Sequence, residues 1–525
     1  MKILISDPIE QVCVDILTSE GFGVDLKPNR PAEELKGLIG DYDALVVRSG
    51  TQVGSDLIAV AKKLRIIGRA GAGVDNIDVE AATRRGIMVL NTPGGNTVST
   101  AEHTLSLLLS LSRNIPQANE SLKQGKWVRK QFTGTELLGK TIGIIGLGKV
   151  GREVATRCQA FGMTTIGFDP ILSADVAAKT NIELVNLPEV FRRSDFITVH
   201  TPLNDETKGL IADREIELCK DGVRIINCAR GGIVDESALL RGLETGKVAG
   251  AALDVFVTEP PGEHPLLKHP KVVATPHLGA STEEAQEKVA RQIAVQIADA
   301  LKERGVSGAV NAEAIQLAMR KELKPFVVLA EKLGALQAQL MRGQLKRMIV
   351  TCSGSFGVQA TELITAAALK GVLSHLLTEP VNLINAPVIA KEMGVAVDEE
   401  RESENDSYAH LVTLKFLTDT EERKFAGTVF GNSHVRIVQI DSFHMEIQPE
   451  GHLLFYKNID RPGMLARVGS ELAAANINIA GLALGRDKPG QKALTVMNVD
   501  SLVPQTIIEK LSRIEGVFDV RTAKV

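Results

Sequence analysis

Residues 140–162 read KTIGIIGLGKVGREVATRCQAFG, and the fold turns on this stretch. Its opening run, 141–145, is apolar and β-branched and predicts a buried strand. Gly146, Gly148 and Gly151 then spell G-x-G-x-x-G. From Lys149 onward, Val150, Val154, Ala155, Cys158 and Phe161 recur at helical spacing, and Gly162 stands where a helix C-cap is expected. Glycines between a strand and a helix serve a specific purpose. Gly146 permits the tight turn, Gly148 lets backbone approach a pyrophosphate, and Gly151 lets helix pack on strand while the helix N-terminus faces the anion. A second strand, 164–168, ends at Asp169, where a carboxylate accepts hydrogen bonds from ribose hydroxyls and repels a 2′-phosphate. The expected cofactor is therefore NAD rather than NADP.

Outward from this stretch, each apolar run delivers polar groups at its carboxyl end. Residues 196–199 lead to His200 and Thr201, and residues 224–226 lead to Asn227, Cys228, Ala229 and Arg230. Residues 249–253 lead to Asp254, with Glu259 just beyond, and residues 272–274 lead to Thr275, Pro276 and His277. On the N-terminal side, the predicted strands 3–5, 44–47, 64–67 and 88–90 include two followed by arginine, as Arg48-Ser49 and Arg69-Ala70-Gly71. Ligands of open α/β sheets bind beyond the strands' carboxyl ends, so these groups are placed to converge. Hydride transfer from a 2-hydroxy acid needs a cation for the carboxylate, a base for the hydroxyl proton and an anion to orient that base. Arg230 supplies a bidentate clamp, His277 an imidazole base, and Glu259 its orienting carboxylate. Asp254 is expected at the carboxamide or ribose end of the cofactor.

Composition bounds the remaining choices. The chain has 525 residues, net charge -4 and 4% aromatics, which supports three or four domains and no nucleic-acid footprint. Its five cysteines, Cys13, Cys158, Cys219, Cys228 and Cys352, show no metal-ligand spacing and fit a reducing compartment. No run is long enough to span a membrane, and the chain enters its first strand without a signal peptide, so the expected location is cytoplasmic, or plastid stroma if a transit peptide has been removed. Residues 99–112 predict a buried helix, and residues 123–130, KQGKWVRK, a basic arm docked by Trp127 and able to reach a neighbouring subunit. Ser281 to Glu284 reads as a capping box opening a helix that returns the chain to the first domain. Residues 305–309 read as a linker and residues 398–406 as a charged loop; residues 453–525 read β-α-β-β-α-β.

The expected architecture is α/β. A Rossmann nucleotide-binding domain (96–286) is inserted in a flavodoxin-like substrate domain (1–95 plus 287–310), and an α+β intervening domain (311–450) and a ferredoxin-like domain (453–525) follow. The segments 146–151, 227–232, 254–260 and 276–280 closely resemble the D-isomer-specific 2-hydroxyacid dehydrogenases. With 47–49, 68–78 and the two C-terminal domains, the whole chain resembles the long-form D-3-phosphoglycerate dehydrogenase family. That resemblance implies oxidation of 3-phospho-D-glycerate to 3-phosphohydroxypyruvate with NAD, the first step of L-serine biosynthesis. Another D-2-hydroxy acid, including reduction of 2-oxoglutarate, or an NAD-sensing binding protein, are the alternatives.

The resemblance further implies Arg230, Glu259 and His277 as the catalytic set. It implies cofactor contacts from Gly146, Gly148, Lys149, Val150, Gly151, Asp169, Thr201, Cys228, Ala229, Arg230, Asp254, His277, Leu278, Gly279 and Ala280. It implies substrate contacts from Arg48, Ser49, Arg69 and Gly71, with Arg129 and Lys130 on an arm contributed by a partner subunit of a homodimer or homotetramer. The last domain resembles an ACT domain, which implies an L-serine site at Asn458, Asp460 and Asn478.

Overall fold

The computed structural model describes residues 1–318, 320–356, 358–403, 407–431, 433–488 and 490–525. Four sheets organise the chain. The first is parallel and five-stranded, in the order Gly23–Leu26, Lys2–Ile5, Ala44–Val47, Ile66–Arg69, Met88–Leu90. This is the flavodoxin-like order, and apart from the edge strand Gly23–Leu26 its strands are largely buried because helices cover both faces. The second is parallel and seven-stranded, with Thr141–Ile145 between Thr164–Phe168 and Phe196–Val199. Strand order reverses between Thr141–Ile145 and Phe196–Val199, which opens a crevice above their carboxyl ends.

Two long helices join these lobes. Thr97–Arg113 buries Leu105, Leu107, Leu108 and Leu111 in the core of the second lobe, beside Ile142, Ile144 and Ala252. Glu283–Leu301 lies on the first lobe, where Ile293, Ala294 and Ile297 share a core with Ile3, Val46 and Ile66. Its N-cap is Thr282, whose hydroxyl accepts from the Ala285 N–H, so the cap sits one residue later than the Ser281 box predicted. Residues 305–309 are no free linker: Asn91 donates to the Gly308 carbonyl (2.8 Å), Val310 donates to the Val89 carbonyl (2.8 Å), and the Asn311 side chain bonds Val89 and Ile87. This pins the chain's exit along the strand Met88–Leu90.

The intervening part is a six-stranded mixed sheet covered by the helices Lys324–Leu340 and Val358–Leu376. Residues 398–402, predicted as part of a charged loop, belong to the strand Ala396–Glu402. It pairs parallel to Leu345–Gly354, and its acidic side chains face Arg347, Thr351 and Ser353, so high charge here reflects a sheet edge rather than a loop. Of the rest of that predicted loop, Ser403 is an exposed bend and 404–406 lie outside the described residues. The last sheet is antiparallel in the order Ile479–Arg486, Lys492–Val499, His452–Ile459, Val517–Lys524. One face, with Leu454, Tyr456 and Met497, packs on its own helices, and the other, with Leu453, Phe455, Leu494 and Val496, joins the core of the intervening part. No helix among the described residues is long and apolar enough to cross a membrane.

Candidate active site

The glycine turn does what its spacing requires. Gly146 has φ +91°, and a Cβ there would stand 2.6 Å from the His200 carbonyl oxygen across the crevice. A Cβ on Gly151 would stand 2.1 Å from the Gly146 carbonyl, so only glycine lets the helix Lys149–Ala160 seat against the turn. Gly148 opens onto free space, and this helix N-terminus has no side-chain cap, leaving first-turn N–H groups for a ligand. Asp169 accepts the Leu147 N–H (2.8 Å) and the N–H groups of Ile171 and Leu172 (2.9 Å each). Burial opposes its ionisation, but those three donors and the charge of Arg152 outweigh burial and hold the carboxyl below its usual range. The Thr201 hydroxyl oxygen is buried with no partner among the described residues. An uncapped helix, open space over Gly148 and an orphaned hydroxyl are what a pyrophosphate-bearing dinucleotide would complete.

Between the lobes lies a cleft of about 680 Å³. Arg48, Ser49, Arg69 and Gly71 line it from the first lobe, and Arg230, Asp254, Glu259, His277 and Ala280 from the second or its edge. A contiguous cavity carries Val150, Thr201, Cys228, Ala229 and Gly279, with Arg230, His277 and Ala280 shared by both. Most of the groups read from the sequence therefore converge. Arg129 and Lys130 do not line either cavity; they lie exposed in the short turn Arg129–Phe132. Trp127, expected to dock the arm, is 75% exposed. Asn458, Asp460 and Asn478 lie in the last domain, outside the cleft.

His277 Nδ1 stands 2.7 Å from Glu259 Oε2, and Glu259 Oε1 accepts the Phe256 N–H (3.0 Å). The carboxylate is thus fixed at one oxygen while the other selects the imidazole tautomer with a proton on Nδ1 and a lone pair on Nε2. His277 has φ +56°, a left-handed conformation uncommon for a residue with a side chain. The turn around it is held by Asp254, whose buried carboxylate receives Thr275 Oγ1 (2.6 Å) and the N–H groups of Leu278 (2.7 Å) and Gly279 (2.9 Å). His103 Nε2 stands 3.1 Å from the same carboxylate. Burial is the largest influence on Asp254 and opposes ionisation, yet its donors, led by His103 and Thr275, keep the carboxyl below its usual range. With its oxygens so engaged, Asp254 first of all ties down the turn that carries His277. The Cys228 thiol is pushed up to about 12 by burial and stays neutral.

Three cations face one another. Arg69 donates from Nε to Asn76 Oδ1 (2.9 Å), and Asn76 Nδ2 donates to the carbonyls of Arg48 (2.7 Å) and Thr51 (2.6 Å). Burial first, then the charge of Arg230 and that of Arg48, lowers the pKa of Arg69, with Asp75 acting in the opposite sense. Such mutual repulsion is relieved by an anion, and a multiply charged one relieves it most. Asp75, Asn76 and His103 carry no site reading in the sequence. Beyond Arg69, seven residues away, Asn76 binds carbonyls 25 and 28 positions distant, and His103 binds groups more than 150 positions distant, so no local pattern marks these roles.

The D-isomer specific 2-hydroxyacid dehydrogenase NAD-binding domain family matches residues 105–279, the D-3-phosphoglycerate dehydrogenase intervening domain residues 322–441, and the ACT domain residues 452–516. A D-3-phosphoglycerate dehydrogenase of Archaeoglobus fulgidus is 44% identical over 522 residues, 99% of each chain. One of Bacillus subtilis is 40% identical over 520 residues, again 99% of each. Among solved structures, a D-lactate dehydrogenase of Aquifex aeolicus complexed with NAD and lactic acid matches with TM-score 0.51 and 27% identity, covering 58% of this chain and 96% of its own.

Proposed function

The chain belongs to the D-3-phosphoglycerate dehydrogenase family, and we propose that it works as follows. It is an NAD-dependent enzyme that oxidises 3-phospho-D-glycerate to 3-phosphohydroxypyruvate, the first step of L-serine biosynthesis. The observation that carries the reading is the convergence of Arg48, Arg69 and Arg230 with the Glu259–His277 pair in one cleft beside the glycine turn.

The turn 146–151 and the Lys149–Ala160 N-terminus would hold the pyrophosphate of NAD, Asp169 its adenosine ribose and the Thr201 side its other end, and the bound cofactor would supply the acceptor for hydride from C2 of the substrate. Arg230 clamps the substrate carboxylate, and its fork geometry fixes the plane of the reacting carbon. His277 Nε2 takes the hydroxyl proton, and Glu259 stabilises the imidazolium that results. Arg48 and Arg69 receive the phosphate from the opposite lobe.

An L-serine site in the ACT domain belongs to the same proposal. Asn458 is buried with Oδ1 unpartnered among the described residues, Asn478 donates to Asp500 (2.8 Å), and Asp460 pairs with Arg486 (3.4 Å). Arg129 and Lys130 on their exposed turn are assigned to the cleft of a second copy, in a dimer or tetramer. Five buried free cysteines fit a reducing cytoplasm.

Purified chain incubated with NAD and 3-phospho-D-glycerate is expected to form NADH and 3-phosphohydroxypyruvate in equal amounts, read by absorbance and by mass spectrometry of the trapped keto acid. Absence of the keto acid refutes the assignment. Titrating L-serine into the same assay is expected to lower the rate, and Asn458→Ala to abolish that response; an indifferent wild type removes the effector site.

A further inference from the structure

Arg230 belongs to the second lobe but is gripped by the first. Its Nε donates to Asp75 Oδ2 at 3.0 Å, a pair separated by 155 positions, while Nη1 donates to the Ala229 carbonyl at 2.7 Å. Its Nη2 lies over Gly73, where a Cβ would stand 2.0 Å from that nitrogen and 2.6 Å from Asp75 Oδ2. Asp75 is itself fixed by its neighbour, since buried Asn76 is bonded to Arg48, Thr51 and Arg69. The loop that carries the phosphate-facing arginine therefore also carries a seat for the carboxylate-facing one.

We propose that Gly73 and Asp75 form a socket on the first lobe for Arg230 of the second, and that Asp75 is a positioning residue for substrate capture. It engages the guanidinium through Nε and leaves the Nη2 edge to the substrate carboxylate, so closure of the lobes and alignment of the clamp are one event. The inference deepens the dehydrogenase reading and rests on it.

Two physical effects of Asp75 have opposite signs, which makes the proposal decidable. As a bare charge beside three arginines, it weakens the attraction for an anionic substrate, so removing it lowers KM. As a positioning group, it prepays the ordering of a long flexible side chain, so removing it raises KM. The socket requires the second effect to win.

The full-length chain and three variants are assayed with NAD and 3-phospho-D-glycerate, alongside NAD affinity by fluorescence and thermal unfolding. Asp75→Ala is expected to raise the substrate KM by about 10- to 100-fold, the scale for a misplaced binding group, with a smaller fall in kcat and NAD affinity within about twofold. Asp75→Asn keeps an oxygen acceptor for Nε and is expected to recover most of the loss. Gly73→Ala leaves every charge in place but drives the guanidinium from its seat, and is expected to reproduce the raised KM. An unchanged or lower KM in Asp75→Ala overturns the proposal. So does an equal loss in Asp75→Ala and Asp75→Asn with lower melting temperatures, which marks a structural role.

A spin label on each lobe reads closure without turnover. Asp75→Ala is expected to shift the distance distribution to longer values, and an unshifted distribution overturns the socket. Failure of the wild type to oxidise 3-phospho-D-glycerate counts against the dehydrogenase reading instead, while the labelled pair still tests the socket.

Discussion

Two regions of the molecule treat charge in opposite ways. In the cleft of residues 1–310, Arg48, Arg69 and Arg230 face the same space, with buried Asn76 and exposed Asp75 bracing them from the side. At the junction between the intervening sheet and the last sheet, charges close on one another. Asp519 meets Arg521 (2.8 Å), Arg342 (3.2 Å) and Lys457 (3.7 Å), Lys457 also meets Asp441 (3.7 Å), and Arg521 reaches the Leu340 carbonyl. Beneath these pairs the two sheets share an apolar core. The lesson is that cations turned toward a shared open space mark a binding site, whereas charges closed on one another over a shared core mark a weld. A weld makes the last two parts one body, which contacts the first lobe through Asn382 on the Gly86 carbonyl (2.8 Å), Ile384 in its core and the Arg84–Glu392 pair.

The contrast is sharpened most by His277→Ala, which is expected to lower turnover by about two to four orders of magnitude with NAD affinity nearly intact. Steady-state kinetics with parallel NAD titration checks this, and a mild loss places the base elsewhere. Next in size, Arg48→Ala is expected to raise the substrate KM about 10- to 100-fold, the scale of a lost hydrogen bond to a charged group, with NAD binding unchanged. Equal effects on both ligands would make Arg48 structural.

On the other side of the comparison, Asp519→Asn removes a charge while tolerating the residue's φ of +51°. Turnover is expected to stay within about twofold and stability to fall by about 1–2 kcal/mol, measured by chemical denaturation. Loss of activity out of proportion to stability would break the distinction between weld and site.

The two regions also differ in their pH windows. His200, at the crevice, has its pKa pushed down to about 4 by burial, so the folded state keeps it neutral while the unfolded chain takes a proton near 6.5. Stability is therefore full above about pH 6.5 and lost as pH falls toward 4, by up to about 1.4 kcal/mol per unit, and His200→Gln is expected to flatten that slope. Burial opposes ionisation of Asp519, but the Arg521 hydrogen bond and the charges of Arg521, Lys457 and Arg342 outweigh it, so its pKa is lowered. Its contribution is present above the ordinary carboxylate range and disappears only as pH falls below about 4. Denaturant midpoints across pH for both variants separate the two.

Much of the cleft was legible because its information is local. The glycine turn is a strand, three glycines and a helix in one stretch, and Arg230, Asp254 and His277 each follow an apolar run. What escaped is what depends on distant pairing. The Asp75–Arg230 bond and the His103–Asp254 bond each join positions about 150 residues apart, and nothing beside Asp75 or His103 announces a partner. Residues 398–402 looked like a loop because charge density hid a strand whose side chains are matched across a sheet edge. The β-α-β-β-α-β order of the last domain was visible, but not that the second face of its sheet lies on the intervening core, because element order does not say which face meets which neighbour.

Selection of a phosphorylated 2-hydroxy acid by three arginines in one cleft is read directly from the ratio of kcat/KM for 3-phospho-D-glycerate to that for D-glycerate with NAD. A preference of about 100-fold or more for the phosphorylated acid is expected, since its phosphate accepts several charge-assisted hydrogen bonds. A ratio near one, or a preference for D-glycerate, would contradict it.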